Sequence, residues 1–247
     1  MKRRILIVIP GCRTGGVLSS LIALLNSKFS DDYFVKVFVM NTYGINLRME
    51  LKSFSVGYNK GTSLIYANVS NYSGLKKMIL ALFKLILYVP IVGSYIKRCI
   101  ENVTIHRLEK THYDYIVSFQ ERISLPFVAK FSNDKKVAWI HCDYSRIFTN
   151  EKDELSVLSH YYKIITVSQY TKSVLCTLLP KIASRVVFIY NILDYKTIVE
   201  KSYEPIVDTR FKPYYFTIIS VGRISSVKQF EAIPKIAAKI KAKGGKF

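Results

Sequence analysis

Apolar positions along the chain follow two alternating rhythms. Short continuous apolar runs at Ile5–Ile9, Tyr33–Met40, Tyr115–Phe119, Lys136–Ile140, Ile164–Val167 and Arg185–Tyr190 read as buried strands. Ser55–Tyr58 is a weaker one. Between these runs, apolar residues fall at helical spacing over Leu18–Leu25, Leu47–Lys52, Glu151–Tyr161 and Gln169–Leu179. Continuous apolar strands separated by helices predict a parallel sheet covered on both faces. Residues 1–190 are therefore expected to form one doubly wound α/β domain.

The rhythm lapses over Asn191–Pro213, a polar stretch holding Pro205 and Pro213, which reads as a linker. It restarts over residues 214–247 with a strand at Phe216–Val221, a turn at Gly222–Val227 and a helix at Lys228–Lys241. One βα unit cannot bury its apolar faces alone, so this segment is expected to be the incomplete start of a second α/β domain. A further stretch, Met78–Val92, is apolar apart from Lys84 and is flanked by Lys76, Lys77, Lys97 and Arg98. It is shorter than the about 20 residues of a bilayer span and contains Pro90. It reads either as a buried core helix or as one lying in a membrane interface.

Composition sharpens this picture. Half of the 247 residues are apolar, which excludes general disorder. With 37 basic and 17 acidic side chains the net charge is +20, so anionic partners are expected: nucleic acid, acidic lipid or phosphorylated small molecules. The excess is uneven. Residues 1–100 hold 14 basic and 3 acidic side chains, and residues 101–200 are nearly balanced at 13 and 11. Cys12, Cys99, Cys142 and Cys176 form no CxxC pair, which excludes a zinc ribbon and suits a reducing compartment. The N-terminal apolar run is shorter than the about 7–15 residues of a signal-peptide core, and it reads better as a first strand.

Three segments carry candidate chemistry. The loop Gly11-Cys12-Arg13-Thr14-Gly15-Gly16 joins the first strand to the first helix, where backbone N–H groups and the helix dipole favour an anion. It is not a P-loop, since Val17 follows Gly16, and it lacks the GxGxxG spacing of a dinucleotide site. It reads as a ligand loop or as a plain tight turn. His141 ends the strand Lys136–Ile140, on the edge that faces the ligand crevice in open parallel sheets. There an imidazole can orient a hydroxyl, shuttle a proton, or simply cap the strand. Asp143 is the neighbouring carboxylate. Third, Gly222-Arg223 with Lys228 five residues on offers two cations for one diphosphate, and two cations can stand in for a divalent metal as that diphosphate departs.

Taken in order, the Gly15-Gly16 loop, the strand-end His141, Ile165-Thr166-Val167-Ser168, Tyr190-Asn191-Ile192-Leu193-Asp194 and Val221-Gly222-Arg223-(x4)-Lys228 resemble the GT-B glycosyltransferases of family 4 (group 1). The resemblance implies two Rossmann-like domains with a nucleotide-sugar donor bound between them. It implies a retaining transfer to a glycan or lipid-linked acceptor, in surface polysaccharide or glycolipid biosynthesis. Neither metal nor cofactor is implied, only the donor as substrate. It assigns His141 to the transferred sugar, Arg223 and Lys228 to the donor diphosphate, and Gly15 and Gly16 to the donor phosphate or acceptor. It implies a cytoplasmic protein, and Met78–Val92 with its basic flanks fits a peripheral place at the inner face of the cell membrane if that stretch is interfacial rather than buried. The family's acidic ExxxxxxxE-type element and base pocket find no counterpart before residue 247, so the 247-residue polypeptide is expected to be inactive or very weak.

Two other classes compete. A catalytically dead remnant could persist as a binding domain. A nucleic-acid-binding module would explain the charge, but the chain has no helix-turn-helix, zinc-finger or RNP-type motif, so no nucleic-acid partner is expected.

Overall fold

A computed structural model describes residues 2–12, 15–43, 54–205, 218–222 and 224–245. It divides into two units, Met1–Asp194 and Tyr195–Phe247.

The first unit is built on a seven-stranded, all-parallel sheet. Its strands are β1 (Arg3–Gly11), β2 (Tyr33–Asn41), β3 (Ser55–Tyr58), β4 (Tyr115–Ser118), β5 (Lys136–Ile140), β6 (Lys163–Thr166) and β7 (Val186–Phe188). They lie in the order 3-2-1-4-5-6-7, so the chain winds outward in opposite directions from β1 and β4. Register is continuous across this switch. Val8 pairs with Ser118, Ser118 with Ala138, Ala138 with Ile164, and Ile164 with Val186.

Both faces of β1 are buried, which is why it reads as an unbroken apolar run. Ile5, Ile7 and Ile9 pack with Val35, Val37 and Val39 of β2 under Leu18, Leu21 and Leu25 of α1 (Gly16–Leu25). Leu6 and Val8 face the opposite core. That core takes Ile105 of α5 (Pro90–Glu109), Phe127 of α6 (Ser124–Ala129), Leu158 of α7 (Glu151–Leu158) and Leu175 of α8 (Gln169–Leu178). Local chemistry fixes the starts of the last two helices. The Asn150 side chain accepts from the Asp153 N–H at 2.9 Å, and Ser168 and Thr171 cap each other reciprocally at 3.1 Å.

The stretch Met78–Val92 is neither one helix nor buried. It divides between α4 (Gly74–Tyr88) and α5, which meet at 109°. Pro90 is the cause. It holds Val89 in an extended conformation and opens α5 from its first turn, where its missing N–H costs nothing. Gly93 makes the bend possible, since a Cβ there would lie 2.0 Å from the Leu87 carbonyl oxygen. Only Leu80 of α4 is buried. Leu75, Met78, Leu82, Leu85 and Ile86 form a stripe in solvent at about half exposure or more, and Ile91, at 83%, continues it past the bend. Lys84 turns the other way. Its ammonium donates to the Ile65 carbonyl at the end of α3 (Lys60–Tyr66), and burial, then Lys97, lower its pKa. Behind the bend the buried Glu101 of α5 accepts from Tyr66 and pairs with Lys130. No single helix among the described residues is long and apolar enough to cross a membrane.

The second unit departs from expectation. Tyr195–Ser202 is a helix, α9, inside the predicted linker. Residues 218–221 form no strand, and Phe216 lies outside the described residues, as does the helix expected at Leu47–Lys52. The helix expected from Lys228 begins at Ala232 instead, as α10 (Ala232–Ala242). Gln229 takes a left-handed φ of 51°, which breaks the run. A start at Lys228 would also put Pro234 in the helix interior, where it clashes and loses a hydrogen bond; a start at Ala232 puts it in the first turn.

Candidate functional site

The carboxyl edge of the sheet at the β1/β4 switch is where open α/β sheets bind ligands. Three of the sequence candidates converge there. Gly15 and Gly16 open α1 beyond β1; His141 follows β5, with β4 between them. At about 4.8 Å per strand, β1 and β5 lie about 10 Å apart. Both features lie on the α1 face of the sheet. The His141 ring packs at 4.8 Å from Phe119, itself clustered with Cys12 and Leu18 at either side of the loop.

The loop leaves space rather than filling it. A Cβ on Gly15 or Gly16 would meet nothing within 4 Å, and the φ of 162° at Gly15 is extended backbone that any residue adopts. The N-cap of α1 is Gly15, which has no side chain to cap the first turn. Among the described residues the fold makes no demand for glycine here, and the first turn of a helix carries N–H groups without intrahelical partners.

His141 sits in an aromatic clamp. Trp139, two residues earlier on the same strand, stacks parallel to it at 6.2 Å, and Phe119 tilts across at 52°. Its Nδ1 and Nε2 are both buried without a hydrogen-bond partner. Burial pulls its pKa down to about 4, against the opposing charge of Glu121. The imidazole is therefore neutral at physiological pH, with one N–H donor and one lone pair unused. That suits a group that orients a hydroxyl or accepts its proton.

Glu121, two residues past Phe119, was not singled out from the sequence. Its carboxylate accepts from the His141 backbone N–H at 3.0 Å and so ties the ends of β4 and β5 together. Arg122 beside it holds a φ of 67°, an uncommon left-handed conformation for a bulky residue. An acidic residue just beyond a strand end at a switch point was the available signal. Burial, then Glu121, also push the Cys142 thiol up to about 12, so it stays protonated.

Asp143 serves its own turn. Its Oδ1 accepts from the Ser145 N–H at 3.1 Å and the Ser145 hydroxyl at 2.7 Å, which holds the carboxyl below its ordinary pKa. Tyr144 then buries its ring and donates to Glu154 at 2.5 Å, anchoring the segment on α7.

The third candidate segment lies in the second unit. Arg223 is outside the described residues. Lys228 is exposed in a short 3-10 turn, Ser226–Lys228, rather than at an α-helix start. Gly222 lies under the ring of Phe230, which a Cβ would approach to 3.1 Å. Among the described residues no group of His, Cys, Asp and Glu has the arrangement of a metal site.

No family model and no curated protein matches the chain. Among solved structures, Anabaena HepE in complex with UDP and glucose is similar at a TM-score of 0.51 and 14% identity, over 76% of this chain and 44% of that one. The lipopolysaccharide outer core galactosyltransferase WaaB, in its apo form, gives 0.48 and 13% over 76% and 45%. A glycosyltransferase from Rickettsia africae gives 0.44 and 16% over 83% and 51%. The likeness to HepE concerns the fold, and the chain spans less than half of HepE's length.

Proposed function

We propose that the chain is the acceptor-side portion of a retaining glycosyltransferase that uses a nucleotide-sugar donor and builds a glycan or a lipid-linked saccharide. The observation that carries this reading is the pairing of an open glycine turn at the start of α1 with a neutral, unpartnered His141 at one switch-point edge. The fold shared with HepE, whose structure holds UDP and glucose, supports it.

In this reading the imidazole of His141 takes a sugar or acceptor hydroxyl through its free donor and lone pair. The α1 N-terminus faces the phosphate or acceptor, and Arg223 and Lys228 serve the donor diphosphate. Sugar transfer breaks the bond between the anomeric carbon and the diphosphate and makes one to the acceptor oxygen. The proton leaves that oxygen as the bond forms and passes to the departing diphosphate. The chain itself turns over donor weakly or not at all, a reading supported by the missing strand at residues 218–221 and the exposed Lys228. The acceptor is presented at an anionic membrane, supported by the apolar stripe on α4 and α5 and its basic flanks.

Ligand-observed NMR with a panel of UDP-, GDP- and ADP-sugars tests the donor reading. Saturable binding at millimolar concentration, weakened by Gly16→Trp, is expected for one nucleotide. Binding of none overturns it. Robust donor turnover by the purified chain would overturn the assignment of weak activity.

A further inference from the structure

We propose that the cavity between α3 and α4 binds the hydrocarbon chain of an anionic amphiphile, with Lys60 and Lys76 holding its phosphate-bearing head. This deepens, and rests on, the membrane-presented acceptor proposed above.

The cavity has a volume of about 470 Å³, within the range of small-molecule sites. Its walls are chiefly Leu64, Ala67, Ile79, Leu80 and Phe83. Leu64 and Ile79, at 48% and 56% exposure, keep large apolar surfaces in water at the lining. A hydrocarbon chain would remove that surface from solvent, the usual meaning of a contiguous exposed patch.

Charge selects the head group. Among the described residues, Lys60 and Lys76 line the cavity and no acidic residue does. The sequence carries no Asp or Glu between Glu50 and Glu101, so α3 and α4, which wall the cavity, bring no carboxylate to compete for these cations. Ser63 adds a hydroxyl whose Oγ is buried without a hydrogen-bond partner. An apolar tail with a neutral head would leave both ammonium groups unused; an inorganic anion would leave the apolar walls wet.

Position connects the cavity with its neighbours. Thr42 and Tyr58 line it, and they lie at the carboxyl ends of β2 and β3, the edge that also carries the glycine turn and His141. Ile79, Leu80 and Phe83 come from α4, the helix whose Leu82 and Leu85 are turned to solvent. A chain drawn from a bilayer under α4 therefore reaches the ligand edge without crossing open water.

Calorimetric titration with dodecyl phosphate, below its micelle concentration, tests the proposal. Saturable binding is expected, at least about tenfold weaker in Leu64→Glu and in the Lys60→Gln/Lys76→Gln pair. Leu64 is half in solvent, so its replacement spares the core. Dodecyl maltoside should bind more weakly than the phosphate and ignore the lysine changes, and inorganic phosphate should not bind measurably. Sedimentation with phosphatidylglycerol vesicles separates the two readings. Vesicle binding together with a dodecyl phosphate affinity unchanged by Leu64→Glu overturns the cavity site alone. Loss of vesicle and amphiphile binding together overturns the membrane reading as well. Dimerisation of a chain that takes up no amphiphile would give the apolar surface to a second copy and overturn the cavity site.

Discussion

His141 is held neutral by its surroundings, and this has a measurable cost in acid. The ring has a folded pKa of about 4 against an ordinary 6.5. Between these values the unfolded chain binds the proton and the folded one does not, so stability is complete above about pH 6.5 and falls as the pH drops toward 4. The shift corresponds to about 3 kcal/mol. Urea denaturation at pH 7 and pH 4 should show this loss in the wild type, reduced by that amount in His141→Gln. Equal acid sensitivity in the two proteins would show that the clamp by Trp139 and Phe119 does not set the pKa. The role of Glu121 is the complement. It spends one carboxylate oxygen on the His141 backbone and so fixes where the ring sits, while its charge only partly offsets the burial.

Among the elements, the α4–α5 bend has the clearest sequence cause. Pro90 sets its place and Gly93 its closeness. Gly93→Ala should force the Leu87 carbonyl aside and destabilise the chain by about 1–3 kcal/mol in equilibrium unfolding. A change within a few tenths would mean that the bend opens freely. The strands were legible because burial on both faces writes an unbroken apolar run, as over Ile5–Ile9 of β1. Pro90 was legible too, but whether Met78–Val92 faced core or solvent was not, because apolar periodicity says which residues share a face and never what lies opposite. The position of Lys228 went astray for a local reason. Pro234 fixes the start of α10, and its weight appears only when the helix is tried at both registers. The place of His141 and the glycines at the carboxyl edge of the sheet was readable, because each follows a strand. Glu121 was not, because its role depends on β4 and β5 being neighbours, a fact of topology.

At the scale of the molecule, charge and apolar surface coincide. The first hundred residues carry most of the basic excess, and the stripe on α4 and α5 lies among Lys76, Lys77, Lys97 and Arg98. Two forces of different range would then act on an anionic bilayer: a long-range attraction screened within about 10 Å at 0.1 M salt, and a short-range apolar insertion that salt leaves intact. Sedimentation with phosphatidylglycerol vesicles should fall severalfold as salt rises from about 0.05 to 0.5 M, yet retain a remainder that Leu85→Glu/Ile91→Glu abolishes. Binding that ignores both salt and the double substitution would remove the bilayer as partner. The open turn at Gly15 and Gly16 bears on a different question, what the fold asks of its own loop. Alanine at Gly16 would fit the observed backbone and favour the helix by a few tenths to about 1 kcal/mol. Gly16→Ala should therefore leave equilibrium unfolding unchanged or slightly firmer, and a clear loss of stability would show that the fold itself needs the glycine.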